Sequence, residues 1–257
     1  MDLIDSHCHL DFNVFDDDRS TVLANCQQLG INDIIIPGVT ANTWDRLLTV
    51  CQQSTMLHPA LGMHPMFMDQ HQAEYIDQLN AYVSEHKPVA IGEIGLDFYI
   101  ADHDKQSQIE LFEQQLAIAH QHNLPVILHV RKAHDQTLAL LKKHQITAGI
   151  VHAFSGSEQQ ANNYIKQGFL LGIGGVITHE RATRLRKLFS SLPLSNIVLE
   201  TDAPDMPLAN MPDIRNTPEN IPRIVATLAE LRAESQEQIA DISSQNVRQI
   251  FLQQKNA

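Results

Sequence analysis

Eight short runs rich in Ile, Val and Leu alternate with longer amphipathic segments from the first residues to about residue 200 of a 257-residue chain. Alternating strand and helix implies parallel strands with helical crossovers. Eight such units plus tail helices in about 250 residues predict an α/β fold, a (β/α)₈ TIM barrel with additional C-terminal helices. A doubly wound open sheet is the competing architecture. No linker, low-complexity tract or composition shift divides the chain, so residues 1–257 are expected to form a single domain.

The elements follow in order. A strand over 2–9 leads to a helix over 17–29, which Gly30 closes. Strands over 31–37 and 56–62 flank a helix over 42–54. After a helix over 70–86, Pro88 opens a strand over 88–94. After another over 104–122, Pro125 opens one over 125–130; both prolines stand where a missing amide hydrogen is tolerated. A helix over 134–145 precedes the strand over 148–153, and Ser157 stands where an N-cap would begin a helix over 157–167. Strands over 169–174 and 197–202 enclose a helix over 179–190, and further helices are read over 218–232 and 235–252. Between them, the proline-rich stretch 203–218 follows the eighth strand, and loops of that length in compact domains are usually functional or disordered.

Composition narrows the function. A 43% hydrophobic and 19% charged chain is neither wholly disordered nor fibrous. Its net charge of -12 opposes simple attraction to nucleic acid or anionic membrane, so a polyanionic substrate needs local positive charge. Three separated cysteines, Cys8, Cys26 and Cys51, argue against a disulfide framework and a thiolate zinc site. The sequence opens without a basic leader, and no apolar run approaches the ~18 residues that span a bilayer. A cytoplasmic protein, without a membrane or an obligate protein partner, is expected.

The chemistry lies at the strand ends. Alternation along the first strand puts His7 and His9 on one face and Cys8 on the other. Glu93, His129, His152 and Asp202 lie at or near the C-terminal ends of the fourth, fifth, sixth and eighth strands, the rim where barrel active sites are built. Imidazoles and carboxylates without thiolates suit divalent Zn, Mg or Mn, and six donors exceed the needs of one tetrahedral ion. Two ions are therefore expected, one among His7, His9, Glu93 and Asp202 and the other among Glu93, His129 and His152, with Glu93 bridging. Such a pair, roughly 4 Å apart, generates hydroxide from water and stabilises attacking and leaving oxygens. Gly92 and Gly95 are expected to leave room for an ion beside the backbone. Asp202 is a candidate ligand, general base or both, and Glu200, two residues deeper, a supporting partner.

These residues sit in recognisable segments: Ile4-Asp5-Ser6-His7-Cys8-His9-Leu10, Gly62-Met63-His64-Pro65, Gly92-Glu93-Ile94-Gly95-Leu96-Asp97-Phe98, Pro125 to Arg131, His152-Ala153-Phe154-Ser155-Gly156 and Glu200-Thr201-Asp202-Ala203-Pro204. In this order, across essentially the whole chain, they closely resemble the TatD family of metal-dependent hydrolases, and Asp202 to Leu208 looks most like its YjjV-type branch. The resemblance implies a TIM barrel, one or two divalent metals, hydrolysis of phosphodiester bonds in DNA, and metal ligands at His7, His9, Glu93, His129, His152 and Asp202. The chain has Asp205-Met206 where many members have an aromatic residue and Leu, while Arg215-Asn216-Thr217-Pro218 resembles the family's Arg-Asn-x-Pro segment.

For the substrate, Arg131 lies two residues beyond His129 on the same face, where a guanidinium fork could hold phosphate. Arg181 is the best candidate among the basic residues after the seventh strand; Arg184, Arg186 and Lys187 read as a solvated face. His64, after the third strand, could polarise a phosphoryl oxygen or protonate the leaving group. The expected catalytic residues are thus Asp202, Glu93 and His64, with His64, Arg131 and Arg181 binding substrate. The expected activity is a divalent-metal-dependent deoxyribonuclease using a metal-activated water. The alternatives are the same centre acting on a small ester, lactone or amide, and a metal-stabilised binding module.

Overall fold

The computed structural model describes residues 1–100, 104–211 and 214–252. Its strands are β1 (Leu3–Asp5), β2 (Ile31–Pro37), β3 (Leu57–Leu61), β4 (Ala90–Asp97), β5 (Val126–Arg131), β6 (Gly149–Val151), β7 (Phe169–Ile173) and β8 (Ile197–Leu199). They form one sheet in chain order, every neighbouring pair parallel. The circle closes just past β1 and β8. Ser6 N donates to Leu199 O at 2.9 Å, and the buried Asp5 carboxylate accepts from Thr201 N at 3.0 Å and Thr201 Oγ1 at 2.5 Å. This is a (β/α)₈ TIM barrel rather than an open sheet.

The crossovers are α1 (Arg19–Gln28), α2 (Trp44–Cys51), α3 (Tyr75–His86), α4 (Lys105–Gln121), α5 (His134–Lys143), α6 (Glu158–Lys166) and α7 (Thr183–Ser191). Two more follow, α8 (Ile221–Leu231) and α9 (Gln236–Val247). Ser157 caps α6 through a reciprocal box with Gln160, satisfying amides that the first turn leaves unpaired. Gly30 ends α1 with a φ of 81°, a conformation glycine adopts without steric penalty. No helix among the described residues is long and apolar enough to cross a membrane.

Ile4, Ile35, Ala60, Ala90, Ile127, Ile150, Leu170 and Val198, one from each strand, pack into an inner cluster. Val247 and Phe251 pack against it at the N-terminal ends of the strands, where Arg248 pairs with Asp2 and Asp33. The larger cluster between strands and helices contains Trp44, Phe112, Phe169 and Phe189, and the burial of each such side chain contributes roughly 1.5–3 kcal/mol. The barrel is thus filled from below, and polar side chains gather at its opposite rim.

Several elements differ in extent from expectation. Strand β1 stops at Asp5 instead of residue 9, because the Asp5 carboxylate takes the amides of His7 and Thr201 that would otherwise extend the ladder. Strand β4 is longer than expected and runs through Asp97. The helices expected over 70–86 and 179–190 start later, at Tyr75 and Thr183, each preceded by a separate 3₁₀ turn at Pro65–Gln70 and Gly175–Thr178, whereas the one expected over 218–232 begins with a 3₁₀ turn at Pro218–Asn220. The stretch 203–218, of which residues 212 and 213 lie outside the described residues, is pinned by buried Asn216. Its side-chain amide donates to the carbonyls of Thr201, Asp205 and Met206 at 2.9, 3.0 and 3.2 Å.

Candidate metal centre

Strand parity explains how most of the polar rim is built. In β5, β6 and β8 the inner-cluster residues Ile127, Ile150 and Val198 are each followed two positions later by an inward residue: His129, His152 and Glu200. Asp202 follows β8 in a left-handed conformation, φ 56°, and its amide donates to His7 O at 2.9 Å. Strand β4 departs from this alternation, because its pairing with β5 shifts register between Ile91 and Ile94. The irregularity reverses the pleat, so Glu93 rather than Ile94 faces inward. Beyond β1, the segment 6–9 bonds to both sides, Ser6 N to Leu199 O of β8, Cys8 N to Ile35 O of β2 at 3.1 Å, and His9 N to Ala203 O in the loop after β8 at 2.8 Å. His7 and His9 consequently share a face, while Cys8 packs in the outer core.

The six expected metal ligands come together, and His64 joins them. His7 Nε2 lies 3.2 Å from Glu93 Oε2 and 3.5 Å from Asp202 Oδ1; His9 Nε2 lies 3.7 Å from each of those oxygens. His152 Nε2 is 3.5 Å from Asp202 Oδ2, and its ring stacks on His7 at 3.6 Å. On the other side, His129 Nδ1 and His64 Nε2 each approach Glu93 Oε1 at 3.1 Å. Three groups have donor atoms close enough to share an ion: His7, Glu93 and His152; His7, His9 and Asp202; and His64, Glu93 and His129. Glu93 therefore joins two of them. His152, expected with Glu93 and His129, also groups with His7 and Glu93, and its Nε2 approaches Asp202.

Electrostatics follow from this crowding. Burial alone would raise the Glu93 carboxyl, but His64, His7 and His129 hold it well below its usual range. Burial likewise opposes ionisation of Asp202, yet His152, His7 and His9 bring it down to about 2. Burial lowers His7, helped by neighbouring His152, and pushes His64 down to about 4. His152 is raised well above the ordinary imidazole value despite burial, because Glu200 and Asp202 face its two nitrogens. The donors fit a divalent cation by two observations. Buried His7 and His9 oppose their Nε2 atoms at 3.3 Å, and both Nε2 atoms lie within 3.7 Å of two ionised carboxylates, Glu93 and Asp202.

Residues behind the donors fix their orientation. Asp97 Oδ2 lies 3.0 Å from His129 Nε2, leaving Nδ1 toward Glu93, and Arg131 Nη1 reaches the same oxygen at 3.4 Å. Glu200 Oε1 accepts from Ala153 N at 2.6 Å and sits 3.1 Å from His152 Nδ1, the supporting place expected of it. A Cβ on Gly172 would come within 2.3 Å of Glu200 Oε2, so that glycine makes room for the carboxylate. His64 Nδ1 accepts from Met66 N at 3.0 Å, which leaves its proton on Nε2, directed at Glu93. Asp97 escaped sequence reasoning because the strand was read as ending at residue 94.

Two expectations require correction. Gly92 and Gly95 do not open space for an ion: a Cβ would lie 2.6 Å from Ile127 Cβ at the first and 2.0 Å from His129 O at the second, so both glycines admit β5. Arg181 is exposed and does not line the pocket over the donors. The 3₁₀ turn after β7 puts Val176 there instead and carries Arg181 outward. Nor are Arg184 and Arg186 merely solvated, since Arg184 donates to Ser155 O and Gly156 O and Arg186 to Ile177 O, while Lys187 is exposed as expected. The pocket itself encloses about 490 Å³, with His9, Glu93, His129, His152 and Asp202 at its floor and Phe12, Met66, Phe67 and Met206 in its walls. Arg131 stands at its edge, partly exposed.

A barrel whose catalytic rim gathers buried imidazoles and carboxylates around a concave pocket is the architecture of a metal-dependent hydrolase. The family profile described as TatD related DNase matches residues 4–252, and the chain belongs to the TatD family. It is 40% identical over 251 residues to the uncharacterized metal-dependent hydrolase YjjV of Escherichia coli K12, spanning 96% of this chain and 97% of that protein. It is also 31% identical over 261 residues to the 3'-5' ssDNA/RNA exonuclease TatD of Erwinia tasmaniensis, spanning 97% and 99% respectively. The crystal structure of the Escherichia coli YJJV protein superposes with a TM-score of 0.93, covering 97% of both chains at 40% identity. The protein is a metal-dependent hydrolase of this family.

Proposed function

We propose that this hydrolase cleaves phosphodiester bonds of single-stranded nucleic acid, with DNA as the substrate. The observation that carries the reading is the pair of donor groups joined by buried Glu93 beneath a single pocket. Relatives of nearly the same length that are named ssDNA/RNA exonucleases support it. His7, His9, Glu93 and Asp202 would hold one divalent ion, and Glu93 with His129 and His152 a second. Cations held there supply Lewis-acid charge for phosphoryl oxygens and make water nucleophilic at neutral pH.

The chain's own groups do the rest. Asp202, kept ionised by its imidazoles, accepts a proton from the attacking water. His64, with its proton fixed on Nε2, turns that N–H from Glu93 to a phosphoryl oxygen when substrate is bound, rather than delivering a proton to the leaving group. Arg131, tethered to Asp97, offers its fork to a phosphate at the pocket edge. The test is cleavage of a short single-stranded DNA before and after chelation: EDTA abolishes it and added divalent metal restores it, whereas cleavage indifferent to EDTA rejects the reading. The apolar walls also favour a second reading, a small ester, lactone or amide, which far higher turnover of such compounds than of phosphodiesters would select.

A further inference from the structure

Beyond Ser155, which lines the pocket over the donors, a second cavity of about 470 Å³ opens between the starts of α5 and α6. Ser155 lines both spaces, so they adjoin. Lys132, His134, Asp135, Gln160 and Arg184 stand in its walls. In a chain of net charge -12, this places two cations next to the third, Arg131, on one side of the centre.

The cations are positioned. Arg184 Nη1 donates to Gly156 O at 2.9 Å and Nη2 to Ser155 O at 2.6 Å, so neutral carbonyls fix the guanidinium without cancelling its charge. A guanidinium carries five N–H groups, and three remain for a ligand. Lys132 Nζ lies 4.6 Å from the Tyr99 ring centroid, and the Arg131 guanidinium carbon lies 4.4 Å from the same ring. Tyr99, 57% exposed, thereby holds the two cations beside each other at the rim. Among the described residues the cavity wall holds one carboxylate, Asp135, which accepts from Gln160 Nε2 at 3.1 Å and is outnumbered by the two cations.

We propose that this cavity is a subsite for the phosphodiester adjoining the scissile one, clamped by Lys132 and Arg184. The substrate is then an oligonucleotide strand rather than an isolated phosphate ester. The inference rests on the phosphodiesterase reading above and adds a subsite to it.

The experiment compares tetrathymidylate with bis(4-nitrophenyl) phosphate, which has a single phosphate, on the metal-loaded enzyme across a salt series. Lys132→Gln is expected to raise KM for the tetranucleotide about tenfold relative to the small diester. It should also lower the slope of log KM against log salt by about 0.7, the single-strand value for one lost phosphate contact. Lys132→Arg, which keeps the charge, should restore both. An equal change in KM for the two probes, or an unchanged salt slope, overturns the subsite and leaves the phosphodiesterase reading standing. Failure of the wild-type protein to cleave either probe with any divalent metal overturns that reading, and the subsite with it.

Discussion

Glu200 offers a quantitative check on how the centre is held together. Its carboxylate is 1% exposed, accepts the Ala153 amide at 2.6 Å and faces His152 Nδ1 at 3.1 Å, while the other imidazole nitrogen faces Asp202. Glu200→Gln keeps the shape and an oxygen for Ala153 N but removes the negative charge behind His152. The Ala153 amide then donates to a neutral oxygen, and since hydrogen bonds to charged groups contribute roughly 1.5–3 kcal/mol against roughly 0.5–1.5 for neutral ones, the loss is about 1.4 kcal/mol, or tenfold. Loss of a carboxylate behind a ligating histidine typically lowers metal affinity or activity 10–100-fold, which brackets that figure. Calorimetric titration with a divalent metal should show about tenfold weaker binding for Glu200→Gln. For Glu200→Ala, which also strands the Ala153 amide, binding should be about a hundredfold weaker. A thermal melt separates this from unfolding, with Gln melting near the wild type and Ala below it. Wild-type affinity in Glu200→Gln would refute the argument that this carboxylate tunes His152.

Three other outcomes follow from the same geometry. Asp5→Ala removes the carboxylate that ties β1 to Thr201 and leaves buried amides unpaired, costing about 3 kcal/mol and lowering Tm by roughly 6–12 °C in calorimetry; an unchanged Tm would show that closure rests elsewhere. His64→Gln, which retains a donor, should keep more activity than His64→Ala, which should lose about a hundredfold in kcat; equal losses would contradict a hydrogen-bonding role. Burial opposes ionisation of Asp33, but His58 and Arg248 depress its pKa below the unfolded value, so its stabilising effect is present above about pH 4 and fades as pH falls through the folded value. Asp33→Asn should therefore be less stable than wild type in denaturant at pH 7, and the gap should narrow on acidification; a gap independent of pH would contradict the assignment.

How far the site could be read from sequence depends on the regularity of each strand. In β5 and β6 the ligand candidates follow the inner core at intervals of two, so alternation alone aims His129 and His152, whereas Asp202 lies past the end of β8 with a φ of 56°. Glu93 and His7 each stand three positions beyond an inner residue, Ala90 and Ile4, and plain alternation would turn them away. A register shift in β4 and the early end of β1 turn them inward, and neither has a local sequence signal. Their strand-end positions were legible, whereas the device aiming them was not. The same reasoning explains the glycines: Gly95 reads as space beside a ligand until β5 is in place, when His129 O occupies that space. Arg181 and Arg184 are three residues apart, and only the path of the chain after β7 decides which of them faces a cavity.

Metal content measured together with cleavage tests the central claim most directly. The protein should be stripped by a chelator, assayed on single-stranded DNA, and reassayed during stoichiometric return of zinc, magnesium or manganese, with bound metal quantified by elemental analysis. Activity should vanish with the metal and return in proportion to its uptake, and Glu93→Gln should bind less metal and recover little. Full cleavage by metal-free protein, or a folded protein that retains no divalent ion at any concentration tested, would contradict the account.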